Sequence, residues 1–141
     1  MKLRPIADFK ADFPDDQEDD GEEIVVYGGR GVAEYVAAAL QSLDYDVAGP
    51  EHAPPYGWRL AAWKGPGRVM IQVSDLGEEY VLGTYERTPF LTRLFNRRAS
   101  IHAELATKLH AELVRDGRFH NIQWWDRYDG HGTSAIQPVS D

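Results

Sequence analysis

The sequence predicts an α+β domain, a mostly antiparallel sheet of four to five strands with its helices packed on one face. Three observations carry that expectation. Three alternating runs between Trp58 and Tyr85 are joined by the short connections Gly65-Pro66-Gly67 and Asp75-Leu76-Gly77, the pattern of an antiparallel meander. A segment with helical apolar spacing stands before the meander and another stands after it. A last aromatic run, Phe119–Tyr128, supplies a closing strand. The expected order is β-α-(β)-β-β-β-α-β, and 141 residues suit one core.

Taken in order, residues 1–22 lack a sustained apolar period and are interrupted by Pro5 and Pro14. They read as a mobile acidic arm, with too little apolar surface to offset the entropy of ordering. Phe9 and Phe13, each preceded by Asp, could dock as a short linear motif or tuck back onto the domain, which is placed at residues 23–128. Ile24–Tyr27 is a β-branched strand broken by Gly28-Gly29-Arg30-Gly31. Val32, Val36, Ala39, Leu40 and Leu43 then define an amphipathic helix of about three turns. Val47 starts a brief strand before a Pro-rich loop.

In the meander, Trp58, Leu60, Ala62, Val69, Ile71, Val73, Tyr80 and Leu82 alternate with residues of the opposite face, among them Trp63, Met70 and Tyr85. Thr88-Pro89 has the form of an N-cap followed by proline in the first turn, opening a short helical turn with Phe90, Leu91, Leu94 and Phe95. Ser100 is placed as the cap of a longer helix with stripe Ile101, Leu105, Leu109 and Leu113, stopped at Asp116-Gly117. In the last strand Ile122 and Trp124 face one way and Trp125 the other. Residues 129–141 read as a loose tail.

Net charge is −8, unevenly placed. The first 23 residues hold nine acids against three bases, a net of −6, and the remainder carries only −2. The absence of cysteine excludes a disulfide scaffold, a zinc-thiolate site, an iron–sulfur cluster and a cysteine nucleophile. The first residues, MKLRPIADFKADFPDD, contain no apolar core of a secretory signal, and no apolar run approaches the ~20 residues of a membrane span. A cytoplasmic location is the expectation.

Two strings resemble known families. Gly130-His131-Gly132-Thr133 is similar to the segment around the catalytic histidine of subtilisin-like proteases, but only seven residues follow Ser134, where that family places a large domain and its nucleophile. The strand, Gly-rich turn and helix of EEIVVYGGRGVAEYV resemble the start of a Rossmann unit, in which helix N-terminal amides hold a pyrophosphate. Glu34 stands where that fingerprint needs its third small residue, and its carboxylate would repel phosphate. No metal-ligand spacing is found, so no metal, cofactor or catalytic residue is assigned.

Partner-binding candidates are clearer. Arg87, Arg93, Arg97 and Arg98 concentrate positive charge within twelve residues, and the acidic arm is one candidate to rest on them. Trp63, Met70, Tyr85 and Trp125 share a phase opposite to the core and would form an aromatic strip if no helix covers it. These features, with Phe9 and Phe13, predict a small interaction module of the immunity, antitoxin, inhibitor or secretion-chaperone type. Its partner would be another protein, a basic one being a candidate, or a second protomer, and not nucleic acid or membrane. The alternative is a small-ligand binder or enzyme using His52, His102 or His120 with a carboxylate in a pocket beside the sheet.

Overall fold

The computed structural model describes residues 1–96 and 99–141. In chain order its strands and helices are β1 (Lys2–Leu3), β2 (Ile6–Ala11), β3 (Glu18–Asp19), β4 (Ile24–Val26), α1 (Arg30–Ser42), β5 (Asp46–Ala53), β6 (Gly57–Lys64), β7 (Gly67–Asp75), β8 (Tyr80–Glu86), α2 (Phe90–Phe95), α3 (His102–Asp116), β9 (Phe119–Trp125), β10 (Ser134–Ala135) and β11 (Val139–Ser140). The class is α+β, as expected. The sheet is larger than expected: seven antiparallel strands in the order β10-β9-β2-β8-β7-β6-β5, with the ribbons β1–β11 and β3–β4 apart from it.

The expected order is not fully met: the first strand read from the sequence, Ile24–Tyr27, forms β4 outside the main sheet, paired with β3, while two strands of the main sheet, β2 and β10, come from segments expected to be loose. Residues 1–22 supply β2, which lies between β8 and β9, pairing Ala7 with Leu82 on one side and Trp124 on the other. Its short alternation of Ala7 and Phe9 with Asp8 and Lys10 puts both apolar side chains in the core, Phe9 only 1% exposed. The expectation of a mobile arm ending at residue 22 is therefore corrected. The acids had masked a two-residue apolar period. The tail from residue 129 likewise pairs, Ser134 with Trp125 and Val139 with Leu3.

The meander forms in the expected register, Trp58 opposite Val73 and Ile71 opposite Thr84. Helices α1 and α3 both pack on the face that carries Trp58, Leu60, Ile71, Val73, Leu82 and Trp124. Leu105, Leu109 and Leu113 of α3 and Val32, Val36 and Leu40 of α1 are fully buried there. At about 1.5–3 kcal/mol for each large apolar side chain removed from water, this layer is the main source of stability. The helix ends depart from the expected caps. Thr88 does not cap α2; its hydroxyl accepts from the Arg68 amide at 2.8 Å and prolongs the β7–β8 ladder. Ser100 donates to Glu86 at 3.1 Å instead of capping α3. Gly117 ends α3 in the left-handed region at φ 85°, as its sequence position implied.

Candidate partner-binding surface

Strand alternation and the placement of α1 and α3 leave the second face of the sheet without a helix. Its centre is a row across four strands: Ala48 pairs with Ala61, Ala61 with Met70 and Met70 with Tyr85. Trp63 lies two residues along β6 from Ala61, between Asp46 and Arg68. The next row runs Gly83, Ile6, Trp125. Gly83 lets Tyr85 fold back along β8: a Cβ at Gly83 would meet the Tyr85 hydroxyl at 2.4 Å. The structure thus brings Trp63, Met70, Tyr85 and Trp125 onto one face, and all four are half-buried.

A depression of about 420 Å³ lies elsewhere, but on this face one of about 370 Å³ is lined by Ala48, Ala61, Trp63, Met70, Arg68 and Arg87. Its floor is apolar and its wall carries two guanidinium groups. A smaller one of about 220 Å³ lies by Trp125, Tyr128 and Asp8. There Tyr128 stands edge-on to Trp125, and its hydroxyl lies 3.0 Å from Asp8 and 3.1 Å from Glu79. Burial, with these two carboxylates, pushes the Tyr128 phenol well above its ordinary value, so it stays a donor.

The remaining candidates are dispersed. Phe9 is in the core and cannot serve as a docking motif. Phe13 packs half-buried against Tyr35 and Phe119, with the Arg118 guanidinium 4.5 Å from its ring centre. Arg87 and Arg93 are exposed, and Arg97 and Arg98 lie outside the described residues. Two acids of the N-terminal segment are engaged elsewhere. Asp12 pairs with His120, and Asp16 accepts from the amides of Gly29 and Gly31 at 2.8 Å each. That second contact fills the helix N-terminus where a Rossmann unit would hold phosphate.

The histidines do not form a catalytic set. His52 accepts from the Tyr27 amide at 3.0 Å and packs against Trp58, locking the strand that leads to α1. His102 is buried; its Nε2 lies 2.7 Å from the Thr84 hydroxyl, which donates to the Pro5 carbonyl and so accepts from the imidazole. Nδ1 of His102 faces Glu86 at 3.8 Å. Burial lowers the His102 pKa, and Glu86 and Thr84 only partly oppose it. His110 accepts from the Trp124 indole at 3.0 Å, and burial lowers its pKa too. His131 sits in a turn in which Asp126 accepts from Thr133, with no triad around it.

His120 and Asp12, 2.7 Å apart, are the one exposed His–carboxylate pair among the described residues. Asp12 also lines the 420 Å³ cleft with Asp15, Asp75, Glu78 and Lys10. Among the described residues no group of three His, Cys, Asp or Glu side chains is placed to hold a metal ion. No helix of the described residues is long and apolar enough to cross a membrane. Comparison with protein families, curated proteins and solved structures finds no match to this chain.

Sequence reading missed one surface. Phe90, Leu91, Leu94 and Phe95 were read as a short helical turn with no surface assigned to them, yet they are 67%, 66%, 59% and 85% exposed. The signal was available in the helix's length: six residues between a proline and an arginine cluster cannot reach across the sheet to the core.

Proposed function

We propose that this protein is a non-enzymatic protein-interaction module that docks its partner on the helix-free face of the sheet. One observation carries the reading: Ala61, Met70 and Tyr85 stand in register across three strands, with Trp63 beside them, on a face that α1 and α3 leave open. Aromatic residues, methionine and arginine are the types enriched at interface cores, and a cluster of them outside the core favours a partner over chance. Arg68 and Arg87 on the wall of the 370 Å³ depression suit a partner segment that pairs apolar side chains with carboxylates.

The test is a Met70→Asp and a Trp63→Ala variant, compared with wild type for capture of partner from native lysate and for mass by light scattering. Loss of capture with unchanged thermal unfolding supports the reading. A wild-type dimer that both variants convert to monomer assigns the face to a second copy. Equal capture by all three chains removes the face from the function. The reading of a small-ligand binder or enzyme rests on the His120–Asp12 pair at the margin of the acidic cleft. It ranks second because both side chains are about half exposed or more, so water competes with any proton transfer between them.

A further inference from the structure

Two arginines face each other on the open side of the sheet. The Arg87 amide donates to the Arg68 carbonyl at 2.9 Å, one step beyond the Val69–Glu86 pair, so the two stand opposite at the end of the β7–β8 ladder. Both line the depression beside Trp63 and Met70. Like charges in directly opposed positions destabilise a sheet. Arg30, Arg59, Arg115, Arg118 and Arg127 each hold a carboxylate, but among the described residues none reaches Arg68 or Arg87. Asp46, in the same row, stands two strands from Arg68 with Trp63 between them.

The other end of the face has the opposite imbalance. The carboxylates of Asp8 and Glu79 converge on the Tyr128 hydroxyl, at 3.0 and 3.1 Å, and its single proton serves one of them at a time. Among the described residues no base is paired with either, and the neighbouring Arg127 is held by Asp129. Lys10 is the unpaired base at this end, against Asp8, Glu79 and the Asp75 and Glu78 of the adjoining cleft. Asp8 stands opposite Val81, and Val81 lies about 20 Å from Arg87 along β8. That distance exceeds two screening lengths at physiological salt, so the two ends do not neutralise each other within one chain.

We propose that the open face binds a second copy of this chain, antiparallel, with Arg68 and Arg87 of each copy meeting Asp8 and Glu79 of the other. The inference rests on the reading of this face as the docking surface and names its occupant. A face with a positive end, an apolar centre and a negative end is complementary to itself under a two-fold rotation. The axis lies between the stacked sheets, square to the strands, and crosses β8 near Thr84. The charged ends then exchange, Ile6, Met70 and Tyr85 lie near the axis, and the strands keep the near alignment of face-packed sheets. Edge pairing is the other route to a second copy, and both edges are guarded. Strand β10 has only two residues, and the β5–β6 register shifts between Ala48 and Glu51, where Pro50 has no amide to donate.

The experiment is light scattering and sedimentation equilibrium on the full chain and on two charge-reversed variants, Arg68→Glu/Arg87→Glu and Asp8→Arg/Glu79→Arg. Wild type is expected to be a dimer at about 100 µM, with a dissociation constant that rises at least about tenfold between about 0.05 and 0.5 M salt. Each variant alone is expected to dissociate at least about tenfold more readily, because every substitution acts twice in an isologous interface. Mixed in equal amounts, the two should recover a dimer, since one then carries acids at both ends and the other bases at both. A misfolded chain would not recombine in this way, and the salt dependence of wild type needs no variant. A monomeric wild type overturns the proposal. If that monomer still captures another protein through Met70 and Trp63, the docking reading stands, and if it captures none, both fail. A dimer indifferent to salt, or variants that do not recombine, likewise overturns the second copy as occupant.

Discussion

The carboxylate of Asp16 bridges the amides of Gly29 and Gly31, 2.8 Å from each, across thirteen to fifteen residues of sequence. It caps α1 from outside the helix, where Gly29 at φ 103° has no side chain to do so. Two otherwise unpaired donors are satisfied and a negative charge meets the positive end of the helix dipole. Asp16→Ala is expected to destabilise the domain by about 1–2 kcal/mol in urea unfolding, the range of a lost N-cap. A change below a few tenths would mean that water replaces the carboxylate fully.

The same N-terminal segment is part of the fold. Strand β2 joins β8 to β9, and Phe9 stacks near Tyr80 and stands edge-on to Phe119 at 5.3 Å. Phe9→Ala is expected to cost about 3–5 kcal/mol. Deleting residues 1–22 should yield a chain that does not unfold cooperatively, because β2 is the strand that joins β9 to β8 among the described residues. A truncated chain with a normal thermal transition would restore the acidic segment to the status of an arm.

What could be read in advance follows from the range of the interactions. The meander and both long helices were legible because their periods are local: Val69, Ile71 and Val73 alternate within one run, and Leu105, Leu109 and Leu113 recur at helical spacing. The open-face residues followed from the same alternation. Strand β2 was not legible because only Ala7 and Phe9 mark its inner face, and their partners Leu82, Trp124 and Phe119 lie at least seventy residues away. The Thr88–Arg68 and Ser100–Glu86 contacts were hidden for the same reason, since cap-forming residues bond across space as readily as to the next turn.

Two buried histidines make stability depend on pH. Burial holds the folded pKa values of His102 and His110 below the ordinary 6.5, so the unfolded chain binds more protons in the window beneath that value. Stability is then full above pH 6.5 and falls as pH drops from 6.5 toward the lowered folded values. Thermal unfolding between about pH 5 and pH 7.5 should show this slope, and a His102→Gln/His110→Gln chain should show a flatter one. An unchanged slope would shift the cause to the carboxylates.

Gly83 offers a way to separate the proposed docking from folding. It lies on the open face, where a Cβ would meet the Tyr85 hydroxyl at 2.4 Å and its ring carbons at 2.8 Å and beyond. These atoms end a side chain that can rotate away, whereas the backbone of β8 stays paired to β7 and β2. Gly83→Ala removes a residue that costs a strand about 0.5–1 kcal/mol, so stability should change by no more than about 1 kcal/mol in either direction. The Tyr85 ring must leave its place beside Met70, and partner capture should fall as far as it does for Tyr85→Ala. Capture that survives Gly83→Ala but not Tyr85→Ala would show that the tyrosine acts by its presence and not by its position over Gly83.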